Sequence, residues 1–445
     1  MRFGKPLLLT RRAVLGGLAA LPAACVLAQL PTNPDVVVIG AGFSGLMAAK
    51  TLIARGVSVA VLEARSRRGG RTYTESETFG VPYDWGAAWL HSADVNNVTK
   101  IVQEMGFKTV DEEEKEVWYY IEGKEADDDQ YAAFNDAYEE LWREINAYEE
   151  TIEDGWADKS VYALSAPDDI YEELAHYRIG PFEAGEWTDK VSVEDLLTQY
   201  GTGVEWMVPQ GLGAALMKYT ADVPAKLNTQ VAKVKWGARN RVQVETSQGT
   251  LDTKYVIVTV PTDIVADGTI AFDPPLPKWK LDAFRRVPMG LLDKIALQFD
   301  KNVFGEDVRL QTVYARSEDG LFWDFLCRPF GLNLVVTFLG GDFARDLAKE
   351  GDKAAFEITL DDLADVFGTA VKKSFVKGHY TKWSLDPFAR GAYSVARPYY
   401  NKMRKQLAIP VDDRIFFAGE AMVPERAKGV DAAYISGVRA AKEVL

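Results

Sequence analysis

Residues 35–45 read DVVVIGAGFSG, an apolar run that enters a turn with glycine at Gly40, Gly42 and Gly45. Residues 46–52 follow with helical spacing, and a second apolar run over 57–62 ends at an acidic residue. Strand, glycine-rich turn, helix, second strand and terminal acid are the order of a dinucleotide-binding βαβ unit. The stretch therefore predicts an α/β fold whose parallel sheet binds a dinucleotide.

Each glycine of this turn has a separate predicted role. Gly40 permits the tight turn, Gly42 lets the backbone approach a pyrophosphate, and Gly45 lets the helix pack closely against the strand. The helix N-terminus offers unpaired N–H groups and the positive end of its dipole to the phosphates. Glu63 ends the second strand and is expected to accept hydrogen bonds from a ribose.

The composition is that of a folded globular protein and excludes several classes of function. The 445 residues are 47% hydrophobic and 26% charged, a length that allows two domains of ordinary size or three small ones. The formal charge of −14 argues against nucleic-acid binding. Two cysteines and three histidines exclude a disulfide framework and disfavour a His/Cys metal site, so no metal is expected.

Residues 1–28 are predicted to be an export signal. Arg11 and Arg12 precede an apolar stretch over 13–27, and small residues lead up to Ala28. Paired arginines favour the twin-arginine export machinery and a periplasmic location. A membrane anchor is the alternative, but about 15 apolar residues interrupted by Pro22 are too few to span a bilayer. We therefore expect a soluble mature protein without stable membrane insertion.

Motifs along the rest of the chain make the prediction more specific. In chain order they are Glu63-Ala64-Arg65, Gly69-Gly70-Arg71-Thr72, Asp84-Trp85-Gly86-Ala87-Ala88-Trp89, Trp383-Ser384-Leu385-Asp386-Pro387, Gly391-Ala392-Tyr393-Ser394, Phe416-Phe417-Ala418-Gly419-Glu420 and Gly429-Val430-Asp431-Ala432-Ala433-Tyr434-Ile435-Ser436-Gly437. With these motifs, residues 34–445 resemble the flavin-containing amine oxidase family. That family includes monoamine oxidases, polyamine oxidases, L-amino-acid oxidases and related histone demethylases.

The resemblance implies a Rossmann-like FAD-binding domain interleaved with an α+β substrate domain. The FAD-binding domain is expected over 34–90, 205–270 and 395–445, and the substrate domain over 91–204 and 271–394. Within the FAD-binding domain, 230–244 and 250–260 are predicted to be strands. In the substrate domain, an apolar stripe over 131–148 predicts a helix whose stripe packs in the core.

The resemblance also implies FAD contacts and the way in which the flavin is held. The expected FAD-binding residues are Gly40, Gly42, Ser44, Gly45, Glu63, Ala64, Arg65, Gly70, Arg71, Gly86, Ala87, Trp89, Val231, Gly419, Glu420, Gly429 and Val430. Monoamine oxidases attach their flavin covalently through a cysteine just before a conserved tyrosine. Ala392 occupies that position here, so the flavin is expected to bind non-covalently.

One charged and one aromatic position match the catalytic region of the family, and a third position departs from it. Lys294 matches the lysine that holds a water against flavin N5, although a surface lysine on a strand is the alternative. Tyr393 matches one wall of the aromatic cage through which the amine reaches the flavin. Gly429 replaces the tyrosine of the opposite wall, so the cage is expected either to be half open or to be closed on that side by another aromatic such as Trp383 or Trp89.

Two further features bear on the substrate. His91 resembles the histidine that follows the Gly-Ala-x-Trp motif of polyamine oxidases and could accept a proton from a substrate ammonium; the alternative is a loop histidine. Residues 111–154 contain 18 Asp or Glu against three Lys or Arg. This acidic segment would attract cationic polyamines, unless it is only a solvated helix face.

The predicted function is FAD-dependent oxidation of an amine, with polyamines, diamines or bulky amines favoured. Hydride transfer to flavin N5 would give an imine and then an aldehyde, with reoxidation by O2 to give H2O2 or by a periplasmic electron acceptor. One alternative is an L-amino-acid oxidase, with Arg390 as the ligand of the substrate carboxylate. The other alternative is a non-catalytic flavoprotein that acts as a scaffold or electron carrier.

Overall fold

The computed structural model describes residue 31 and residues 33–111, 116–153, 157–199, 201–238, 241–305, 311–317 and 320–445. The export signal predicted over residues 1–28 lies outside the described residues. So do residues 112–115 and 154 of the acidic segment.

The predicted βαβ unit forms the centre of a five-stranded parallel sheet. Strands Val36–Ile39 and Val59–Leu62 pair in parallel and are joined by helix Phe43–Ile53. Every residue of both strands is buried, as expected where helices cover both faces of a parallel sheet. The strand order is Ala225–Lys226, Val59–Leu62, Val36–Ile39, Tyr255–Val258 and Ile415–Phe417. Three separate stretches of chain thus build one Rossmann-like sheet, which confirms the predicted fold class.

A four-stranded sheet packs beside this parallel sheet and corrects one prediction. Its strand order is Gly249–Thr253, Val242–Thr246, Val231–Lys235 and Ala271–Asp273. The run predicted as one strand over 230–244 is therefore two antiparallel strands, and the run over 250–260 is also divided between two sheets. The apolar pattern alone did not reveal these breaks, because the residues on both sides of each break favour strands.

A seven-stranded sheet forms the core of the second half of the fold. Its strand order is Phe375–Tyr380, Leu292–Phe299, Leu334–Gly340, Phe322–Cys327, Gln311–Arg316, Glu116–Ile121 and Lys124–Glu125. All pairs are antiparallel except the one between Gln311–Arg316 and Glu116–Ile121. Strand Leu292–Phe299 is buried almost throughout. Its charged residues Asp293 and Lys294 therefore lie inside the molecule.

The remaining strands of the described chain form three small sheets. Tyr393–Ser394 pairs with Met289–Gly290, and Thr74–Glu75 pairs with Tyr83–Asp84. In the third sheet, Glu205–Met207 pairs with both Trp89–His91 and Val110–Asp111. These short ladders hold Trp89, His91 and Tyr393, three of the predicted site residues, in strands.

Helices cover both large sheets. The α-helices are Phe43–Ile53, Asn97–Glu104, Asp128–Glu153, Val161–Leu164, Ile170–Tyr177, Val193–Thr198, Leu212–Tyr219, Thr262–Ala266, Lys278–Arg286, Gly341–Glu350, Asp352–Phe367, Ala370–Ser374, Met403–Ala408 and Val430–Val444. A π-helix spans Arg178–Ala184, and short 3-10 helices span Thr188–Lys190, Pro329–Gly331, Glu420–Met422 and Pro424–Arg426. None of the helices in the described part of the chain is long and apolar enough to cross a membrane.

Candidate functional site

A cavity of about 1070 Å³ lies between the parallel sheet and the seven-stranded sheet. All the residues predicted to bind the cofactor line it except Gly45, and so do the predicted catalytic residues His91, Lys294, Trp383 and Tyr393. Residues separated by more than 300 positions in the chain thus meet around one space. The volume is large enough for a dinucleotide together with a small substrate.

The glycine-rich turn has the geometry that its sequence predicts. Gly40 has a φ of +107°, a conformation that side chains rarely adopt. A Cβ on Gly42 would meet no atom within 4 Å, so the backbone there faces open space in the cavity. A Cβ on Gly45 would lie 2.1 Å from the carbonyl oxygen of Gly40. Gly42 therefore leaves room for a ligand, whereas Gly45 serves the packing of helix on strand.

Glu63 lies at the end of the second parallel strand and is 6% exposed. Its carboxylate accepts hydrogen bonds from the backbone N–H of Ala41 at 2.7 Å and of Arg65 at 2.9 Å. These bonds hold the carboxylate at the cavity wall, and its remaining lone pairs can accept two hydroxyl groups. The residue thus fits the ribose contact predicted for it.

The two arginines predicted to bind the cofactor are already paired with protein groups. Arg65 makes a bidentate ion pair with Asp386, with N–O distances of 2.6 and 2.7 Å. Arg71 donates to the carbonyl oxygen of Ala392 at 2.8 Å and to Glu420 at 3.1 Å. Both arginines line the cavity. They also link the segment after the second parallel strand to the segment that leads to Tyr393.

A buried polar network continues from Glu420. Its carboxylate accepts from the hydroxyl of Ser394 at 2.7 Å, and that hydroxyl accepts from Arg404 at 2.7 Å. Arg404 is fully buried and forms a bidentate ion pair with Asp195, at 2.6 and 2.8 Å. The arginine cations beside Glu420 hold its pKa below the usual range despite complete burial. The network holds the strand that contains Tyr393 against Glu420 of the predicted FAD-binding domain.

Lys294 is buried, with 6% of the residue exposed, which excludes the alternative of a surface lysine. Its ammonium donates to the carbonyl oxygens of Gly86 at 2.6 Å and Asp84 at 3.2 Å. It also lies 5.5 Å from the ring centroids of both Trp89 and Phe338. Burial lowers the pKa of this lysine to about 8, although the Asp84 carboxylate opposes the shift.

Trp383 is held by the residue next to Lys294 in the chain. The backbone N–H of Trp383 donates to the buried carboxylate of Asp293 at 2.5 Å, and the hydroxyl of Thr381 donates to the same oxygen at 3.0 Å. Burial raises the pKa of Asp293 to about 6, against the effect of these hydrogen bonds. One strand therefore positions both the lysine and the indole at the cavity.

Tyr393 lies at the cavity wall with its hydroxyl anchored. The hydroxyl donates to the carbonyl oxygen of Phe182 at 2.8 Å, and the backbone pairs with Gly290. Burial raises the pKa of this phenol well above its usual value, so the ring stays neutral. The ring is thus fixed in orientation, as a cage wall must be.

Gly429 is the residue before helix Val430–Val444 and lines the cavity. A Cβ at this position would lie 2.3 Å from Oδ1 of Asp431. The space that a second cage tyrosine would occupy is therefore bordered by a carboxylate. Burial raises the pKa of Asp431.

His91 lies at the exposed side of the cavity, with 63% of its side chain accessible to solvent. Its Nδ1 is 2.5 Å from a carboxylate oxygen of Glu205, and the two residues are directly opposite each other in neighbouring strands. An imidazolium at this position would be stabilised by that carboxylate. His91 thus lies on a strand and is hydrogen-bonded across to its neighbour, and its catalytic role stays a prediction.

The acidic helix contributes to the cavity in a way that the sequence did not reveal. Tyr138, Trp142, Asn146 and Glu149 of helix Asp128–Glu153 all line it. The spacing of four, four and three residues places them on one helical face. The prediction that the apolar stripe packs only in the core is thus incomplete, because helical periodicity does not distinguish a core from a cavity wall.

The π-helix Arg178–Ala184 supplies further cavity residues that no sequence motif indicated. Arg178 packs between Tyr138 and Tyr314, with its guanidinium carbon 3.8 and 4.9 Å from the ring centroids. Glu183 accepts a hydrogen bond from the Tyr138 hydroxyl at 3.0 Å. Pro181 interrupts normal helical hydrogen bonding here, and single π turns are frequent at functional sites.

Arg390, the proposed ligand of a substrate carboxylate, is not among the residues that line the cavity, although it donates at 3.3 Å to the hydroxyl of Thr269, which does line it. It pairs with Asp267 at 3.0 Å and has 40% of its side chain exposed. The amino-acid oxidase alternative thus loses the arginine on which it depended. Within the described ranges, no group of three His, Cys, Asp or Glu residues is arranged to hold a metal ion.

Comparison with known proteins agrees with this geometry. Residues 43–196 and 191–445 match the family model described as flavin containing amine oxidoreductase. The chain is 28% identical to polyamine oxidase 4 of Oryza sativa subsp. japonica, over 93% of this chain and 89% of the relative. It is 29% identical to a probable polyamine oxidase 4 of Arabidopsis thaliana, over 93% and 87%.

Among solved structures, putrescine oxidase bound to putrescine has the same fold. The TM-score is 0.77 at 20% identity, covering 93% of this chain and 99% of the other. A variant of putrescine oxidase with redesigned cofactor binding gives a TM-score of 0.78 at 21% identity, with the same coverage. Together with the family match over almost the whole described chain, this shows that the protein belongs to the flavin-containing amine oxidoreductase family.

Proposed function

We propose that the protein is an FAD-dependent oxidase of diamines or polyamines. The observation that carries the proposal is the single cavity in which Lys294, Trp383 and Tyr393 lie together with the glycine-rich turn. Membership of the amine oxidoreductase family gives the reaction class, and the similar polyamine oxidases support the choice of substrate.

The cavity residues fit FAD. The open space beside Gly42 accommodates a pyrophosphate at the N-terminus of helix Phe43–Ile53, and Glu63 accepts hydrogen bonds from the ribose. When bound, the flavin supplies an acceptor for hydride from the carbon next to the amine nitrogen. Cys327 is buried on a strand and does not line the cavity, and Ala392 offers no thiol, so we propose non-covalent binding.

Carboxylates and aromatic rings on the substrate side of the cavity favour a cationic, extended molecule. Glu149, Glu183 and Glu205 line the walls, while the anchored ring of Tyr393 offers a face to an approaching ammonium. The exposed acids of helix Asp128–Glu153 add a negative field near the same cavity. A molecule with two or more ammonium groups gains from each of these features.

Proton removal is the step that we assign to His91. An amine loses hydride readily only as the free base, so one ammonium must be deprotonated at the cavity. His91 lies on the accessible side, and the Glu205 carboxylate stabilises the imidazolium that would form. Proton release to solvent from that exposed position completes the transfer.

An anaerobic screen of the purified holoprotein tests the proposal. Putrescine, spermidine, spermine, benzylamine and a set of L-amino acids would each be added to oxidised protein, and bleaching of the flavin band followed. We expect diamines or polyamines to reduce the flavin fastest. Reduction by an L-amino acid, but by no amine that lacks a carboxylate, would establish the amino-acid oxidase alternative. If no compound reduces the flavin, the alternative of a non-catalytic flavoprotein scaffold or electron carrier would be favoured.

We also propose that residues 1–28 direct the folded protein through the twin-arginine route to the periplasm, on the strength of Arg11 and Arg12 before the apolar stretch. Changing both arginines to lysine should leave the precursor in the cytoplasm, with its N-terminus uncleaved. Export of that variant at the normal level, or a mature N-terminus that retains residues 1–28, would contradict the proposal.

A further inference from the structure

A second, smaller cavity of about 50 Å³ reaches Lys294 from outside the large one. Apart from Lys294 and Asp84, its lining is almost entirely apolar and aromatic, and it includes Leu334, Val336 and Phe338 of one strand. Five residues line both cavities: Ala88, Trp89, Lys294, Leu326 and Phe338. Only this thin wall separates the small cavity from the catalytic space.

From this arrangement we propose that the small cavity is a dioxygen site that supplies the flavin side of Lys294 by a route separate from the amine entrance. The inference rests on the proposed oxidase function. Dioxygen there takes up two electrons and one proton from the reduced flavin and a second proton from solvent, and leaves as hydrogen peroxide. The buried ammonium of Lys294 stabilises the negative charge that develops on oxygen.

Most polar groups of the lining are already bonded to the protein, which favours an apolar occupant, although the buried hydroxyl of Tyr83 has no partner. Lys294 donates to two carbonyl oxygens, and the Asp84 carboxylate accepts from the hydroxyl of Thr74 and from the backbone N–H of Leu212 and Gly213. A water molecule needs two to four polar partners to be held inside a protein. Cavities lined by apolar side chains stay dry and bind small apolar molecules such as xenon.

The position of the cavity also provides a way in from solvent. Pro82 is exposed, and Phe330 and Leu332 are only half-buried, whereas Leu334, Val336 and Phe338 further in are buried. The lining thus runs from the surface to the lysine. A long cation would have to lose its hydration in this narrow apolar space, so the amine is expected to use the large cavity instead.

The loop at the mouth is held in an unusual conformation. Arg328 and Phe330 both have left-handed backbone angles, with φ of +51° and +57°. Bulky residues rarely adopt such angles, and strained backbone of this kind clusters at functional sites. Pro329 and Phe330 of this loop line the cavity.

Xenon binding tests the site without any turnover. Crystals of the holoprotein under xenon pressure should show one xenon atom among Leu334, Val336 and Phe338, and none in the variant Val336→Phe. Val336→Leu is the milder variant if the phenylalanine prevents folding. Val335→Leu is the matched control, because Val335 is also buried on this strand but belongs to the cluster on the opposite face. An ordered water in place of xenon would overturn the proposal.

Reoxidation kinetics provide the second test. The flavin of each variant would be reduced with light or dithionite, so that the result does not depend on any amine being a substrate. We expect Val336→Phe or Val336→Leu to lower the second-order rate constant for O2 by about fivefold or more, with Val335→Leu unchanged. Equal rate constants in all variants would overturn the dioxygen site while leaving the proposed amine oxidation intact.

Discussion

The ammonium of Lys294 lies 2.6 Å from the carbonyl oxygen of Gly86. This contact holds a lysine of the seven-stranded sheet against the motif over residues 84–89. The contact places a buried charge where both halves of the protein meet. It also explains why the lysine stays in place without a carboxylate bonded to it directly.

Lys294→Met should slow flavin reoxidation by O2 by about 10²-fold, with a much smaller effect on reduction by the amine. In the native protein the pKa of Lys294 is lowered to about 8, so the ammonium is present below pH 8 and is lost above it. The O2 rate constant should therefore fall as pH rises through about 8, and the variant should lack this step. Stopped-flow reoxidation across pH 6–10 measures both effects; Lys301→Met, an exposed lysine, is the control.

Two glycine variants should fail for different reasons. Gly42→Val should give a folded protein with little or no FAD, because the side chain would enter the open space meant for the pyrophosphate. Gly45→Val should lower the stability itself, since its Cβ would lie 2.1 Å from the Gly40 carbonyl oxygen. Circular dichroism and flavin content distinguish the two. Full FAD content in Gly42→Val would contradict the assigned pyrophosphate position.

Arg404→Met should destabilise the fold by about 3–5 kcal/mol, because it leaves the Asp195 carboxylate buried without its cation. The double variant Arg404→Met with Asp195→Leu should recover part of that loss. Denaturant unfolding measures the free energy of each. As a control, Arg143→Met removes an exposed pair with Glu140 and should change stability by less than about 0.5 kcal/mol. Equal losses in the single and double variants would show that the charge itself is not the cause.

His91→Ala should move the pH dependence of flavin reduction to higher pH, because only the ionisation of the free amine would then supply the reactive base. Glu205→Gln should cause a smaller shift in the same direction, since it removes the carboxylate 2.5 Å from the ring. Reduction rates in anaerobic stopped-flow over pH 6–10 measure the change. Identical profiles in the native protein and in His91→Ala would leave the histidine without a part in proton transfer.

Salt should weaken turnover of a polyamine more than turnover of a monoamine. The acids of helix Asp128–Glu153 act through a field that ions screen within about 10 Å at 0.1 M ionic strength. The value of kcat/KM for spermine should fall steeply between low and moderate salt, while that for benzylamine changes little. Parallel dependences for the two substrates would mean that the acidic helix only solvates the protein.

The sequence predicted the parallel sheet and the cofactor wall well, because those depend on local rules. Gly40, Gly42 and Glu63 follow one another within a single βαβ unit, where spacing determines geometry. Lys294 and Tyr393 were found through family motifs rather than periodicity. The depth of Lys294 is a consequence of the seven-stranded sheet, and Tyr393 is placed by its pairing with Met289–Gly290; no local pattern specifies either arrangement.

The substrate wall was largely missed for the same physical reason. Tyr138 and Trp142 have the helical spacing of core residues, and only the tertiary arrangement makes their face a cavity wall. Arg178 and Glu183 sit in a π-helix, for which the sequence offers little beyond Pro181. The small apolar cavity beside Lys294 arises from six separate strands and the loops next to them, and it has no sequence signature.

The reaction assigned to this cavity is oxidation of an amine with the flavin as the electron acceptor. Anaerobic titration of the FAD-loaded protein with spermidine and with putrescine tests it most directly. We expect complete two-electron reduction of the flavin by at least one of them, with formation of the corresponding aldehyde. A flavin that stays oxidised with both, while an L-amino acid reduces it, would contradict this assignment.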